Sequence, residues 1–258
     1  MCKRMAGSAA EKFDAAAESE ESPETMEKLS AVEIIKKRRS IRRMKKDERI
    51  PDEHVELILD AARHAPSPEN MLMIRFIVIR DDQETKEFLA DIAQEMAQTA
   101  FGGAPFELTS GRNWFINDPY RASVYSRLRD GELFRYPEDS DVTIIVCASE
   151  AWHDANYTYP LDLFGSVVAG MAIQNMWLVA TELGYCCAYD ALVCSDPRHA
   201  ELVRDRLGIP PIWKPLTAFS LGVPERMREL GPSRPPLEGL MYDERWGNPY
   251  TRLAFREE

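Results

Sequence analysis

The chain contains no CxxC pair, and its five cysteines, Cys2, Cys147, Cys186, Cys187 and Cys194, are odd in number. Neither a disulfide framework nor a zinc cage is expected from that pattern, and a reducing, cytoplasmic compartment is. Histidine is scarce. Of the four present, His54, His64 and His199 are predicted at exposed helix positions, while His153, beside Trp152 and ahead of Tyr157 and Tyr159, is a candidate to face a pocket. GxGxxG, GK[ST], HExxH and GxSxG are all missing, so the signatures of a dinucleotide-binding unit, a phosphate loop, a zinc protease and a serine hydrolase are not met. Positive charge is outnumbered, 32 basic against 43 acidic side chains for a net charge of −11. Such a surface repels nucleic acid and anionic membranes, and neither is an expected partner.

What the chain does have is apolar mass: 45% hydrophobic residues in 258 suffice for a full core without metal or disulfide. Residues 1–28, rich in Ala, Glu and Ser, cannot offset the entropy of ordering and read as a flexible acidic tail rather than a secretory signal. Ser30 with Glu33 makes a capping box, and Val32, Ile34 and Ile35 begin an amphipathic helix that runs into KKRRS. After Pro51, Val55, Ile58, Leu59 and Ala62 share one face of a second helix ending before Pro66. Buried strands are predicted at 74–79, 142–148 and 216–223, with a short strand-like stretch after Gly184 and helices at 82–98 and 198–207. Both element types alternate in one domain, here 29–223, which makes the fold α+β.

The stretch from Leu163 to Thr181, LFGSVVAGMAIQNMWLVAT, is uncharged and long enough to cross a bilayer. Ser166, Gln174 and Asn175 inside it, and Asp162 and Glu182 at its ends, favour instead a core helix buried on all sides at 162–183. Its small residues Gly165, Ala169, Gly170 and Ala172 suggest close helix packing at a subunit interface. Two further segments stand out. Residues 101–140 hold eight aromatics among Gly, Pro and Asp, which reads as a lid inserted over a pocket, with Trp114, Phe115, Tyr120 and Tyr125 as candidate substrate contacts. Residues 224–258 lack core periodicity and read as an extended arm lying on a surface, its own or a second subunit's.

The sharpest local signal is residues 36–46, KKRRSIRRMKK, eight basic side chains in eleven within an acidic chain. A solvated helix end, a nucleic-acid or targeting patch, and a phosphate site all fit this run taken alone. Paired arginines offer planar donors to a phosphate, and Ser40 adds a hydroxyl.

In order along the chain stand RRSIR, IPDEHVELILDAARHAPSPEN, a hydrophobic strand, AIQNMWLVATELGY, DRLGIP, LGVPER and SRPPLEGLMYDERW. Over roughly residues 30–246 this order resembles the nitroreductase family. The resemblance implies a mixed central sheet flanked by helices in an intertwined homodimer that binds FMN and draws electrons from NADH or NADPH. It implies that Arg38, Arg39, Ser40, Arg42 and Arg234 surround the FMN phosphate and ribityl chain, and that Pro66, Ser67 and Asn70 lie along the flavin. Tyr189, Asp190 and Ala191 would form the loop passing near flavin N5. With no dinucleotide-binding unit, the nicotinamide would share the substrate's pocket, which implies ping-pong kinetics, and the hydride chemistry would belong to the flavin rather than to a dedicated acid or base.

Two departures bear on chemistry. Where many members carry Gln-Pro-Trp after the Asn, this chain has Leu72-Met73-Ile74, and between 188 and 192 Tyr189 supplies the sole side-chain hydroxyl. The expected function is two-electron reduction of a small electrophilic, aromatic substrate. A dehalogenase, a dehydrogenase, a flavin-fragmenting enzyme and a noncatalytic FMN-binding protein remain open at this point.

Overall fold

The structure is a computed structural model that describes residues 30–102, 127, 130–149, 162–227, 231, 234 and 236–250. The predicted tail (1–28) and Trp114, Phe115, Tyr120, Tyr125 and His153 lie outside those residues. The helices are α1 (Ala31–Lys37), α2 (Asp52–Arg63), α3 (Gln83–Gly102), a single turn α4 (Tyr136–Asp139), α5 (Asp162–Glu182) and α6 (Pro197–Leu207). The strands β1 (Ile74–Ile79), β2 (Val142–Ser149), β3 (Cys186–Asp190) and β4 (Trp213–Gly222) form one sheet in the order β1-β2-β4-β3.

The α+β class stands, and every described strand pair is antiparallel. Among the described residues, parallel pairing is confined to an isolated bridge between Ser40 and Cys187. Alternation divides β2 between two cores. Val142, Ile144 and Val146 join Val55, Ile58, Ala62, Val168 and Met176 on the face covered by α2 and α5. Ile145 and Cys147 join Leu89, Ala93, Val203 and Ile209 on the face covered by α3 and α6. Helices on both faces explain why β2 is buried along nearly its whole length, as a continuous apolar run requires. Register slips between Val146 and Cys147 opposite Pro215, a residue with no N–H to give the ladder.

Local signals account for the helix ends. The Ser30–Glu33 capping box forms as expected at α1. Asp196 caps α6 by accepting from the Arg198 N–H at 2.8 Å, Pro197 follows, and Gly208 closes the helix at φ 62°.

Several expectations need correction. In α1 only Ile34 is buried, while Val32 and Ile35 are exposed, because the helix ends at Lys37 after seven residues and offers a single turn to the core. Helix α5 is not buried on all sides: Phe164, Ser166, Val167, Gly170 and Gln174 face outward. Its small residues serve mainly the subunit's own packing. A Cβ at Gly165 would sit 2.8 Å from that of Ala148 on β2, and Ala169 and Ala172 are buried, so of the four only Gly170 is open. By length and composition α5 is the one described helix that would suit a membrane, yet its inner face packs on the sheet. Phe134 and Tyr136, expected in a lid, are core residues packed against α3. His199 is buried rather than exposed, 3.6 Å from Glu95.

Candidate cofactor site

At Arg38 the backbone leaves the helical region (φ −51°, ψ 131°), and the basic segment runs along the outer edge of β3. Main-chain groups hold it there. The Ile41 N–H donates to the Cys187 carbonyl at 3.2 Å, Trp177 Nε1–H to the Arg39 carbonyl at 3.2 Å, and Lys45 N–H to the Val223 carbonyl at 2.9 Å. The chain after β4 returns the contact, Glu225 N–H donating to the Arg43 carbonyl at 3.2 Å.

The Arg38 guanidinium lies over the Trp177 ring, 4.3 Å from its centroid. Its Nη1 is buried without a hydrogen-bond partner. Burial, and then the charges of Arg234 and Arg39, pull its pKa below the usual arginine range. Arg39 curls back on α1, donating to the carbonyls of Lys36 at 2.6 Å and Arg38 at 2.9 Å. A Cβ on Gly231 would fall 2.7 Å from Arg39 Cζ, so the carboxyl-terminal chain closes on this guanidinium and glycine permits the approach. Three cations thus share one neighbourhood, and one of them presents a buried, unmatched donor. A phosphate would relieve both the repulsion and the missing hydrogen bond, so the residues present fit FMN at this end.

Arg42 is directed elsewhere. Its guanidinium lies 5.8 Å from the ring centroids of both Phe134 and Tyr136. There it lines a cavity of about 230 Å³ with Arg43, Arg127, Glu132, Arg135 and Tyr136. Arg135 is already held by Asp91 and Glu138, which raise its pKa. Arg42 has no carboxylate within ion-pair distance among the described residues. Ser40 is exposed beside Cys187.

The loop after α2 is built under strain. Glu69, Asn70 and Leu72 take φ values of 53°, 57° and 44°, a region in which asparagine is tolerated and leucine is not favoured. Ser67 Oγ accepts from the Leu72 N–H at 3.1 Å and ties the loop closed. Asn70 and Pro66 are both exposed. Strained non-glycine backbone that packing holds in place is a common mark of a ligand site.

At the end of β3, Tyr189 is exposed, Ala191 half-buried and Asp190 buried at 1% exposure. Both carbonyls here are pinned by hydroxyls: Tyr136 donates to Tyr189 O and Thr217 Oγ1 to Asp190 O, each at 2.8 Å. One Asp190 oxygen accepts the Leu192 N–H at 2.9 Å, and Oδ2 is unpartnered. Burial pushes the carboxyl up to about 6, against the opposing pull of Leu192 N–H, Tyr136 and Arg42. The structure therefore gathers Arg38, Arg39 and Arg234 in one cluster and sets Arg42 with Asp190 in a second. Sequence reasoning missed Trp177, Tyr136 and Thr217. Trp177 had a signal, as the one tryptophan in the long helix, whereas Tyr136 and Thr217 are brought to the site by tertiary packing.

A profile of the nitroreductase family matches residues 35–223. Solved structures with the same fold include nitroreductase A of Vibrio parahaemolyticus, with TM-score 0.61 and 21% identity over 84% of this chain and 76% of that one. The NADPH:FMN oxidoreductase of Vibrio harveyi, solved with NAD+, gives 0.59 and 21% over 83% and 77%. The hypothetical oxidoreductase YcnD of Bacillus subtilis gives 0.60 and 20% over 84% and 74%. The chain belongs to the nitroreductase family. With that membership comes its class, an oxidoreductase.

Proposed function

We propose that this protein passes two electrons, as hydride, from NADH or NADPH to a small electrophilic, aromatic substrate in a ping-pong cycle at FMN. The observation that carries the reading is the buried, unpartnered Nη1 of Arg38 among the charges of Arg39 and Arg234. Four fully extended steps from Arg38 to Arg42 would span about 13 Å, enough to separate two positive poles along the segment. The first pole suits the phosphate and ribityl chain, with Ser40 between. The second, in the Arg42 cavity, suits the N1 and C2=O edge of the ring, where negative charge collects on reduction. Pro66, Ser67 and the Asn70 amide would lie along the flavin, and the 189–191 backbone would pass near N5. Bound FMN supplies the hydride chemistry; the protein's residues bind it, orient it and set the charge around it.

The same reading assigns substrate choice to Trp114, Phe115, Tyr120 and Tyr125, and the cytoplasm as compartment. It makes the active form a homodimer, supported by the outward apolar face of α5 and by Leu237, Leu240, Tyr242 and Trp246, which the single subunit leaves exposed. Purified protein should take up one FMN per subunit, and NADH or NADPH should bleach it anaerobically. A protein that takes up no flavin overturns the proposal.

A further inference from the structure

The turn between α2 and β1 carries Glu69, Asn70 and Leu72 at positive φ, with Met71 right-handed between the last two. Local bonds account for its first half. The Asn70 N–H donates to the Ser67 carbonyl at 3.0 Å and the Met71 N–H to the Pro68 carbonyl at 3.1 Å, a tight coil that asparagine accepts without strain. They do not account for Leu72. A leucine at φ 44° stays there when its surroundings fix the peptide groups on either side, and here side chains fix both. Ser67 Oγ accepts the Leu72 N–H at 3.1 Å, and Arg75 Nη1 donates to the Leu72 carbonyl at 3.1 Å and to the Ile74 carbonyl at 2.7 Å. Arg75 is the second residue of β1, so its backbone belongs to the sheet. Its guanidinium reaches past β2 to lie over the ring of Trp213, the first residue of β4, 4.7 Å from the centroid. Among the described residues no carboxylate lies within ion-pair distance of it, and its contacts are two turn carbonyls and a ring.

Resting on the FMN reading above, we propose that Arg75 is a positioning residue for the cofactor: stacked on Trp213 and bonded to the Leu72 carbonyl, it holds the turn in its strained shape and so fixes where the exposed Asn70 amide stands. The sheet is rigid and the turn is not. Without the guanidinium, Leu72 is free to leave the left-handed region, and Asn70 moves with it because the two are joined through a single residue. Leucine supplies the restoring force that the clamp opposes, whereas glycine occupies positive φ at no steric cost. A clamp is thereby separable from a charge. A cation that merely attracted an anionic cofactor would act alike with leucine or glycine at 72, while a clamp matters less once the leucine is gone.

The test is a double-mutant cycle on FMN affinity, read by flavin fluorescence quenching in wild type, Arg75→Ala, Leu72→Gly and the double variant, with hydrogen exchange of the Met71 and Leu72 amides followed in each. Arg75 is exposed, so Arg75→Ala is expected to weaken FMN by about tenfold rather than a thousandfold and to speed exchange of both amides, with the melting temperature of the flavin-free protein little changed. In the Leu72→Gly background the same substitution should cost less than about threefold. Equal losses in the two backgrounds overturn the proposal, as does unchanged exchange at Leu72. A fall in melting temperature with FMN affinity intact overturns it as well, since Arg75 would then serve the scaffold alone. If Arg75→Ala does not fold, Arg75→Gln, which keeps much of the stem and loses the planar cation, completes the cycle with the same expected pattern. A chain that takes up no flavin overturns the FMN reading and the positioning role together, whereas equal losses with flavin bound overturn the positioning role alone.

Discussion

Two arginines in this molecule share a half-buried setting and differ in what surrounds them. Arg80, at the end of β1, gives Nη2 to Asp141 at 2.7 Å and Nε to the same carboxylate at 3.2 Å, and also reaches Asp52 and the Ile50 carbonyl. Asp141 in turn accepts the Ile50 N–H at 2.8 Å. Each of the three guanidinium nitrogens there meets an acceptor within the fold. Arg38 faces Arg39 and Arg234 and keeps a buried N–H unmatched. An arginine whose partners are all internal is part of the scaffold. One set against its own kind is left for something from outside.

The contrast is most exposed to failure at the Arg38 cluster. Replacing Arg38 and Arg234 by Ala should remove about 3–6 kcal/mol of FMN binding, at least a hundredfold in Kd, and leave the melting temperature of the flavin-free protein unchanged or higher. Flavin fluorescence quenching and calorimetry read the two quantities separately, and a loss of stability without loss of FMN would reverse the assignment. Arg80→Ala should do the opposite. Leaving the buried Asp141 with only the Ile50 N–H and Arg49 at 3.9 Å is expected to cost about 3 kcal/mol of folding stability by urea unfolding, with FMN affinity of the folded fraction retained.

The Asp190 cluster lies between these extremes, because its carboxyl has a cation nearby and is still destabilised by burial. Its folded-state pKa is raised from 3.8 to about 6, so the folded state binds the proton more tightly and stability falls as pH rises through that window. At pH 8 the buried charge costs up to about 3 kcal/mol, and Asp190→Asn should recover part of it, the gain vanishing by about pH 4. A variant equally destabilised at both pH values would show the carboxylate to be fully compensated. The smallest effect is expected at Trp177→Phe, which keeps a ring under Arg38 and loses the N–H to the Arg39 carbonyl. About 1 kcal/mol, or roughly fivefold in FMN affinity, is expected by titration.

Much of this contrast begins in local sequence. The capping box at Ser30, the apolar face of α2 at Val55, Ile58 and Ala62, and the uniform run of β2 are set by neighbours a few residues away, and they fold as read. The RRSIR run offered a phosphate site on the same local grounds, as one of three readings. What was not legible depends on partners far along the chain. The histidine at 199 is inside because α6 packs toward Glu95, 104 positions earlier, and nothing around it in sequence says so. Tyr136 looks like one more aromatic in a loop until Tyr189 supplies its acceptor, and the separation of Arg42 from Arg38 follows from a strand direction that composition does not carry. The outward face of α5 was hidden by its uniform apolarity, since a helix with no polar side gives no clue to which side is covered.

The strap that holds residues 39–45 is made by main-chain atoms on the segment's own side: the Arg39 and Arg43 carbonyls and the Ile41 and Lys45 amides. Those bonds do not depend on which side chains the segment bears. A lineage carrying this scaffold is therefore free to trade arginine for lysine, histidine or a neutral residue at 38, 39 and 42 without refolding the strap. Cofactor affinity and redox poise can then drift under selection while the architecture stays fixed. Protein engineers inherit the same freedom, since a combinatorial library confined to these three positions and free of proline, which would remove the Arg38 N–H bond to the Ile34 carbonyl, would sample site chemistry on one backbone.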